Sequence, residues 1–200
     1  MAQKILVVKS SPRKDSNSSF LADEVAAGAR KKGAKIEEIN LASLKIGPCK
    51  ACDSCQKQKV EYCTFQDDMI ALYPKIVEAD SIVYATPIYW FTVSAQLKLF
   101  MDRCYALMAP HHEVGDASPL AGKAVVLCAT YGDDDPLCSG VVNARGTFID
   151  FCAYVGADLV DVLHATAQEP GEIRQDKELL EQARAVGQLI AVGEEPLPPA

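Results

Sequence analysis

The sequence predicts an open, doubly wound α/β sheet, and three observations carry that reading. Short β-branched runs alternate with helix-period segments five times along 200 residues. No internal repeat or linker breaks the alternation, so residues 1–192 read as one domain and 193–200 as a flexible tail. A composition of 49% apolar and 24% charged residues supplies enough side chains for a full core. Chirality then makes the strands parallel and the crossovers right-handed.

The elements follow in order. ILVV (5–8) is the first strand. Ser16, Asn17, Ser18 and Ser19 open a helix, which reaches Arg30-Lys31-Lys32, where cations complement the dipole of a helix end. KIEEINL (35–41) mixes apolar and charged residues as an edge strand does. Residues 67–79 follow a helical pattern, with Asp67-Asp68 as its N-cap and Pro74 inside it at the cost of a hydrogen bond. SIVYAT (81–86) and AVVLCAT (124–130) are buried parallel strands, and so is DLVDVL (158–163). Between and after them, three sets of residues fall at i+3/i+4 spacing: Leu97, Met101 and Cys104; Val141, Ala144, Phe148, Phe151, Cys152 and Val155; and Leu179, Ala183, Val186 and Ile190.

Charge and hydropathy exclude several classes of function. A net charge of −7 argues against a nucleic-acid partner, which needs clustered Lys and Arg. No apolar run approaches the ~20 residues of a membrane span, and no signal peptide precedes the first strand. A cytoplasmic protein is expected. There thiols stay reduced, and clustered cysteines favour metal or redox chemistry over disulfides.

A doubly wound sheet binds ligands at the carboxyl ends of its strands, which selects the loops 10–17, 42–66, 87–93 and 131–138. The first, SSPRKDSN, ends at a helix start whose amide N–H groups have no intrahelical partner; with its hydroxyls and Arg13 it suits a phosphate. There is no G-x-G-x-x-G and no G-x4-G-K-[ST], so neither dinucleotide nor Walker-type binding is indicated. The third loop places Tyr89, Trp90 and Phe91 together, as a flat ligand or a subunit contact would require. A phosphorylated planar cofactor satisfies both loops.

The second loop holds a cysteine-rich window (47–66) with Cys49, Cys52, Cys55 and Cys63 spaced C-x2-C-x2-C-x7-C. The i, i+3, i+6 spacing lets a tight loop turn three sulfurs inward, as a cubane requires. Zinc and free thiols are the other readings, although structural zinc more often uses two separated C-x2-C knuckles. Because the window follows the second strand, the fold sets it on the same edge as the other loops. Cys104, Cys128 and Cys152 read as small hydrophobes, and Cys138 as an exposed residue of the DDDPLCSG loop. His111 and His112, with Glu113 and Asp116, read as a solvated loop or lid in preference to a metal site. Asp133-Asp134-Asp135 reads as a solvated turn.

SSPRKDSNSS (10–19), TPIYWF (86–91) and AQLKLFMDRC (95–104) together resemble the flavodoxin-like NAD(P)H-dependent FMN reductase superfamily over residues 4–165. With the cysteine window, the chain is similar to its iron–sulfur flavoprotein branch, whose last cysteine gap varies; seven residues is at the long end. The resemblance implies a flavodoxin-like five-stranded sheet of order 2-1-3-4-5 that binds FMN. Ser10, Ser11, Arg13, Ser16, Asn17, Ser18 and Ser19 would hold the 5′-phosphate. Thr86, Pro87, Ile88, Tyr89, Trp90 and Phe91 would line the ribityl chain and one face of the isoalloxazine, and Thr130, Tyr131 and Gly132 would close its pyrimidine edge. Cys49, Cys52, Cys55 and Cys63 would ligate a [4Fe–4S] cluster.

Lys98, Asp102 and Arg103 are expected to be structural or interfacial. No side chain is required as acid or base. The implied activity is an oxidoreductase relaying electrons between a donor, FMN and the cluster, with NAD(P)H or ferredoxin as donor and a quinone, a flavin or an oxygen species as acceptor. The alternatives are a cluster-free NAD(P)H-dependent FMN or quinone reductase and a non-enzymatic flavodoxin-type electron carrier. Exposed aromatics beside the site suggest a homodimer or homotetramer.

Overall fold

The computed structural model describes residues 2–58, 60–108 and 118–193. Its strands are β1 (Lys4–Lys9), β2 (Lys35–Asn40), β3 (Ser81–Tyr89), β4 (Thr92–Val93), β5 (Ala124–Tyr131) and β6 (Asp158–Thr166). Its α-helices are α1 (Asn17–Lys31), α2 (Ser54–Lys57), α3 (Tyr73–Glu78), α4 (Ala95–Arg103), α5 (Val141–Val155) and α6 (Lys177–Val192). Five parallel strands run in the order β2-β1-β3-β5-β6, and the short β4 pairs antiparallel with the end of β3. Counting only the parallel strands, this is the expected order 2-1-3-4-5. His111 and His112, with most of the tail (194–200), lie outside the described residues.

Alternation of side chains along each strand builds two cores. Leu6, Val8, Ile82, Tyr84 and Leu127 face the side covered by α3, α4 and α5. Ile5, Val7, Val83, Val126 and Cys128 face α1 and α6. Both faces of β1, β3 and β5 are therefore buried, which is why their sequences read as unbroken apolar runs. Each such Val, Leu or Ile contributes roughly 1.5–3 kcal/mol by leaving water.

The second layer is fixed by two close approaches. A Cβ on Gly28 of α1 would lie 2.0 Å from the Arg184 carbonyl oxygen, and one on Gly187 of α6 would lie 1.9 Å from that of Val25. The backbones of α1 and α6 touch where each helix presents a glycine.

The structure corrects three expectations. Residues 67–79 do not form one helix: Asp67 caps a 3₁₀ turn over Asp68–Ala71, and α3 starts afresh with Pro74 in its first turn, where a missing N–H costs nothing. DLVDVL is not a doubly buried strand: β6 pairs only with β5 and is half-exposed over most of its length, because it is an edge. Residues 87–93 are not an open loop: β3 continues to Tyr89 and turns through Trp90-Phe91 into β4.

Candidate functional site

At the carboxyl edge, the loop after β1 folds against β3 and α4 through buried hydroxyls. Ser10 donates from its amide and its Oγ to the Ala85 carbonyl, at 3.0 and 2.9 Å. Ser94 Oγ, at the N-cap of α4, donates to Ser10 Oγ at 2.8 Å. The Ser16 side chain caps α1 by accepting from the Ser19 amide, and the first turn of α1 carries no acidic residue. No carboxylate within that first turn compensates the positive end of the helix dipole, which favours an anion.

Beside this helix start lies a cavity of about 230 Å³, lined by Ser11, Arg13, Asp15, Ser16, Asn17, Pro87, Ile88, Tyr89, Thr130, Tyr131, Gly132, Ala167 and Gln168. All three expected segments therefore meet in one hollow. Ser10, Ser18, Ser19, Thr86, Trp90 and Phe91 do not line it. Ser10 ties the loop to β3; Ser18 is buried against the Ser16 hydroxyl; Thr86 Oγ1 accepts from the Ser94 amide at 3.0 Å. Trp90 is 91% exposed at the tip of the hairpin and Phe91 55% exposed. Both have left-handed backbones, with φ of 47° and 68°.

Asn17 is committed elsewhere than expected. Its Nδ2 donates to the Glu169 carbonyl at 2.8 Å, and its Oδ1 accepts from the Ile173 amide at 3.2 Å. It clamps the loop after β6, which brings Ala167 and Gln168 to the cavity. That loop was absent from the sequence-based set, although the rule that selected the others applies equally to the end of β6. On the far wall, the Tyr131 hydroxyl pairs with His164 Nδ1 at 3.0 Å, and burial pulls the His164 imidazole below its ordinary pKa.

The cysteine window forms a second cavity, also of about 230 Å³, lined by all four cysteines together with Lys50, Ala51, Asp53, Thr64, Phe65, Gln66, Arg103 and Tyr105. It shares no lining residue with the first. The window leaves the carboxyl edge but folds down beside α4 towards Arg103, about 13 Å along the helix from Ser94 at ~1.5 Å per residue. The expectation of one common rim is corrected accordingly. Ala51 and Asp53, which alternate with the cysteines, have left-handed φ values of 50° and 55°. Hydrogen bonds with Ser54 hold the Cys52 thiol below its ordinary pKa, while burial raises that of Cys55.

Arg103 matches the expectation of a structural residue, while its partners were not legible in the sequence. It is 1% exposed. Its Nη1 donates to the Gly47 carbonyl at 3.1 Å and to Asp67 Oδ2 at 2.6 Å; its Nη2 donates to the Phe65 carbonyl at 3.0 Å and to Asp67 Oδ1 at 3.2 Å. One guanidinium thus pins both ends of the cysteine loop. Lys98 and Asp102 match the expectation, as an exposed i,i+4 pair.

In kind, the donor set fits a cluster: four thiols line one cavity together with a buried cation. Among the described residues, however, no three His, Cys, Asp or Glu side chains are placed to hold a single metal ion. Cys104 and Cys152 are buried with their thiols pushed up to about 12, and Cys128 is buried with its thiol also raised; all three are inert packing. Cys138 is exposed, with its thiol raised by Asp135. The Asp133–Asp135 segment is a turn whose carboxylates accept from the Asp135 and Leu137 amides.

A five-stranded parallel sheet in this order, with a hollow at the carboxyl ends of β1, β3 and β5, defines the flavodoxin-like class of α/β proteins. Residues 3–155 match the family model of the NADPH-dependent FMN reductases. The chain belongs to that family of flavin oxidoreductases. An iron–sulfur flavoprotein of Archaeoglobus fulgidus is 36% identical over 129 residues, 64% of this chain and 62% of that protein. The match therefore spans about three fifths of that relative's length. An iron–sulfur flavoprotein of Methanocaldococcus jannaschii is 28% identical over 192 residues, 94% of this chain and 95% of that protein. The solved NAD(P)H:quinone oxidoreductase from Methanothermobacter marburgensis superposes with a TM-score of 0.71 at 18% identity, covering 95% of this chain and 96% of that one, a likeness of fold. Among the described residues no helix is long and apolar enough to cross a membrane.

Proposed function

We propose that this chain is an oxidoreductase of the iron–sulfur flavoprotein type, holding FMN in the cavity beside α1 and a [4Fe–4S] cluster in the cysteine cavity. The observation that carries the reading is the convergence of Cys49, Cys52, Cys55 and Cys63 on one cavity in a chain of the FMN reductase family. FMN would supply chemistry that exchanges electrons in pairs or singly, and the cluster would supply single-electron exchange.

The chain's own residues bind and orient. Ser11, Arg13, Ser16 and the amides that open α1 would hold the phosphate. Pro87, Ile88 and Tyr89 would set one wall for the ring, while Thr130, Tyr131 and Gly132 would close the other. Ser10, Ser18, Ser19 and Thr86 would shape the loop from behind, and Trp90 and Phe91 would present an aromatic surface to an incoming substrate. No protein acid or base is assigned. A quinone, a second flavin or an oxygen species fits as acceptor, and ferredoxin or NAD(P)H as donor. A second copy of the chain would cover the exposed aromatics.

The second reading is an NAD(P)H-dependent FMN or quinone reductase without a cluster. It is favoured by the lack, among the described residues, of a ready-made metal-ion group. One experiment separates the two. Protein purified without oxygen is analysed for flavin, iron and acid-labile sulfide, and is then mixed with NAD(P)H. About four iron and four sulfide per chain, with one FMN, support the main reading. Flavin without iron, bleached rapidly by NAD(P)H, overturns it in favour of the second. A colourless protein overturns both.

A further inference from the structure

The Arg103 guanidinium carries five N–H donors. The two Nη groups make the four hydrogen bonds that clamp Gly47, Phe65 and Asp67. The Nε–H makes none among the described residues: it is buried and without a partner there. A buried donor left unmade carries its full desolvation penalty, and native proteins rarely tolerate one without a reason. Arg103 also lies over the Phe65 ring, with its guanidinium carbon 4.9 Å from the ring centre, and the side chain cannot swing to find another acceptor without breaking the clamp. The same side chain lines the cavity of the four cysteines.

We infer that the Arg103 Nε–H is reserved for a sulfur of the iron–sulfur cluster, and that this hydrogen bond raises the reduction potential of the cluster. The inference rests on the cluster reading above. Asp67 neutralises the guanidinium from the opposite edge, so Arg103 acts here less as a free charge than as one fixed donor. Hydrogen bonds to the sulfurs are among the main determinants of cluster potential, because they stabilise the more negative, reduced state. Arg103→Lys keeps a cation for Asp67 but has no Nε–H and no planar fork.

The test is spectroscopic. Full-length protein is grown with arginine labelled with ¹⁵N at Nε, purified anaerobically and reduced, and the cluster signal is examined by pulsed electron paramagnetic resonance. Among the described residues Arg103 is the only arginine lining the cavity, so a ¹⁵N coupling reports its contact with the cluster. In parallel, the midpoint potential of Arg103→Lys is compared with that of the wild type. The expected result is a ¹⁵N coupling in the wild type and a variant cluster about tenfold harder to reduce at fixed potential, a fall of ~59 mV for one electron.

A loaded cluster with no ¹⁵N coupling overturns the inference and leaves the cluster reading standing. An unchanged potential in a folded, loaded variant does the same. Absence of iron and sulfide from anaerobic wild-type protein overturns the cluster reading, and this inference with it. If the variant fails to fold, the labelled wild type decides alone. A purely structural clamp would produce neither the coupling nor the shift.

Discussion

Asp67 accepts four hydrogen bonds, from the amides of Gly47 and Met69 and from both Nη groups of Arg103. Burial alone would raise its carboxyl pKa, but the Arg103 contacts and the two amides bring it below the ordinary value. A depressed acid stabilises the fold above the unfolded pKa near 4, and that contribution is lost as pH falls through the lower folded value. Asp67→Asn should therefore cost about 3 kcal/mol at neutral pH, because it leaves a buried guanidinium short of its counter-ion. The variant should also show a shallower acid dependence below about pH 4 than the wild type. Chemical denaturation at neutral pH and on the acid side of pH 4 checks both. The same pair shows what the sequence concealed. The N-cap role of Asp67 was legible from Asp67-Asp68-Met69, a local pattern. Arg103 was legible only as a structural or interfacial residue, and not as the clamp of the cysteine loop, because the partner that buries it lies 36 residues away.

At the scale of the element, the hairpin after β3 is the exception to local consistency. A two-residue turn with both residues left-handed prefers Asn-Gly, and here it is Trp90-Phe91. Composition alone therefore reads a loop with an aromatic shelf, whereas the chain makes a tight turn. Three features of the neighbourhood fix it. Ile88 and Tyr89 pair with Val93 and Thr92. Asn143 Nδ2 donates to the Phe91 carbonyl at 3.0 Å. Gly140, itself at φ 87°, lets the start of α5 come close enough that a Cβ there would lie 2.3 Å from Phe91 Cα. Trp90→Asn, at an exposed position, should stabilise the fold by about 1 kcal/mol by relieving backbone strain. Gly140→Ala should destabilise it by at least about 2 kcal/mol through both the clash and the forbidden φ. Thermal unfolding of the two variants should shift in opposite directions. The long strands and α1, α5 and α6 were legible because their periodicity is set by burial. The break at Pro74 and the half-exposure of β6 were not, because each depends on what lies alongside.

For the whole molecule, the packing of α1 on α6 joins the last helix to the one that opens beside the cavity proposed for FMN. The family match ends at residue 155, yet β6 completes the sheet, the loop after it is held by Asn17, and α6 seats on α1 through Gly28 and Gly187. Gly187→Ala should force the helices apart at a cost of about 2 kcal/mol, and should weaken FMN binding by displacing the loop that carries Ala167 and Gln168. Gly146→Ala on α5 meets open space and should stabilise by about 0.5–1 kcal/mol with no change in flavin affinity. Flavin titration and thermal unfolding of both variants separate the two effects.

α4 has a consequence of its own. It begins at Ser94, hydrogen-bonded to Ser10 of the loop after β1, and ends at Arg103, the clamp of the cysteine loop. Nine residues of helix thus serve as a ruler with a phase as well as a length. One residue added or removed would turn its far end by about 100° and carry the guanidinium away from the sulfurs. Sequence drift in this segment can change side chains freely on its outer face, but it cannot change their number.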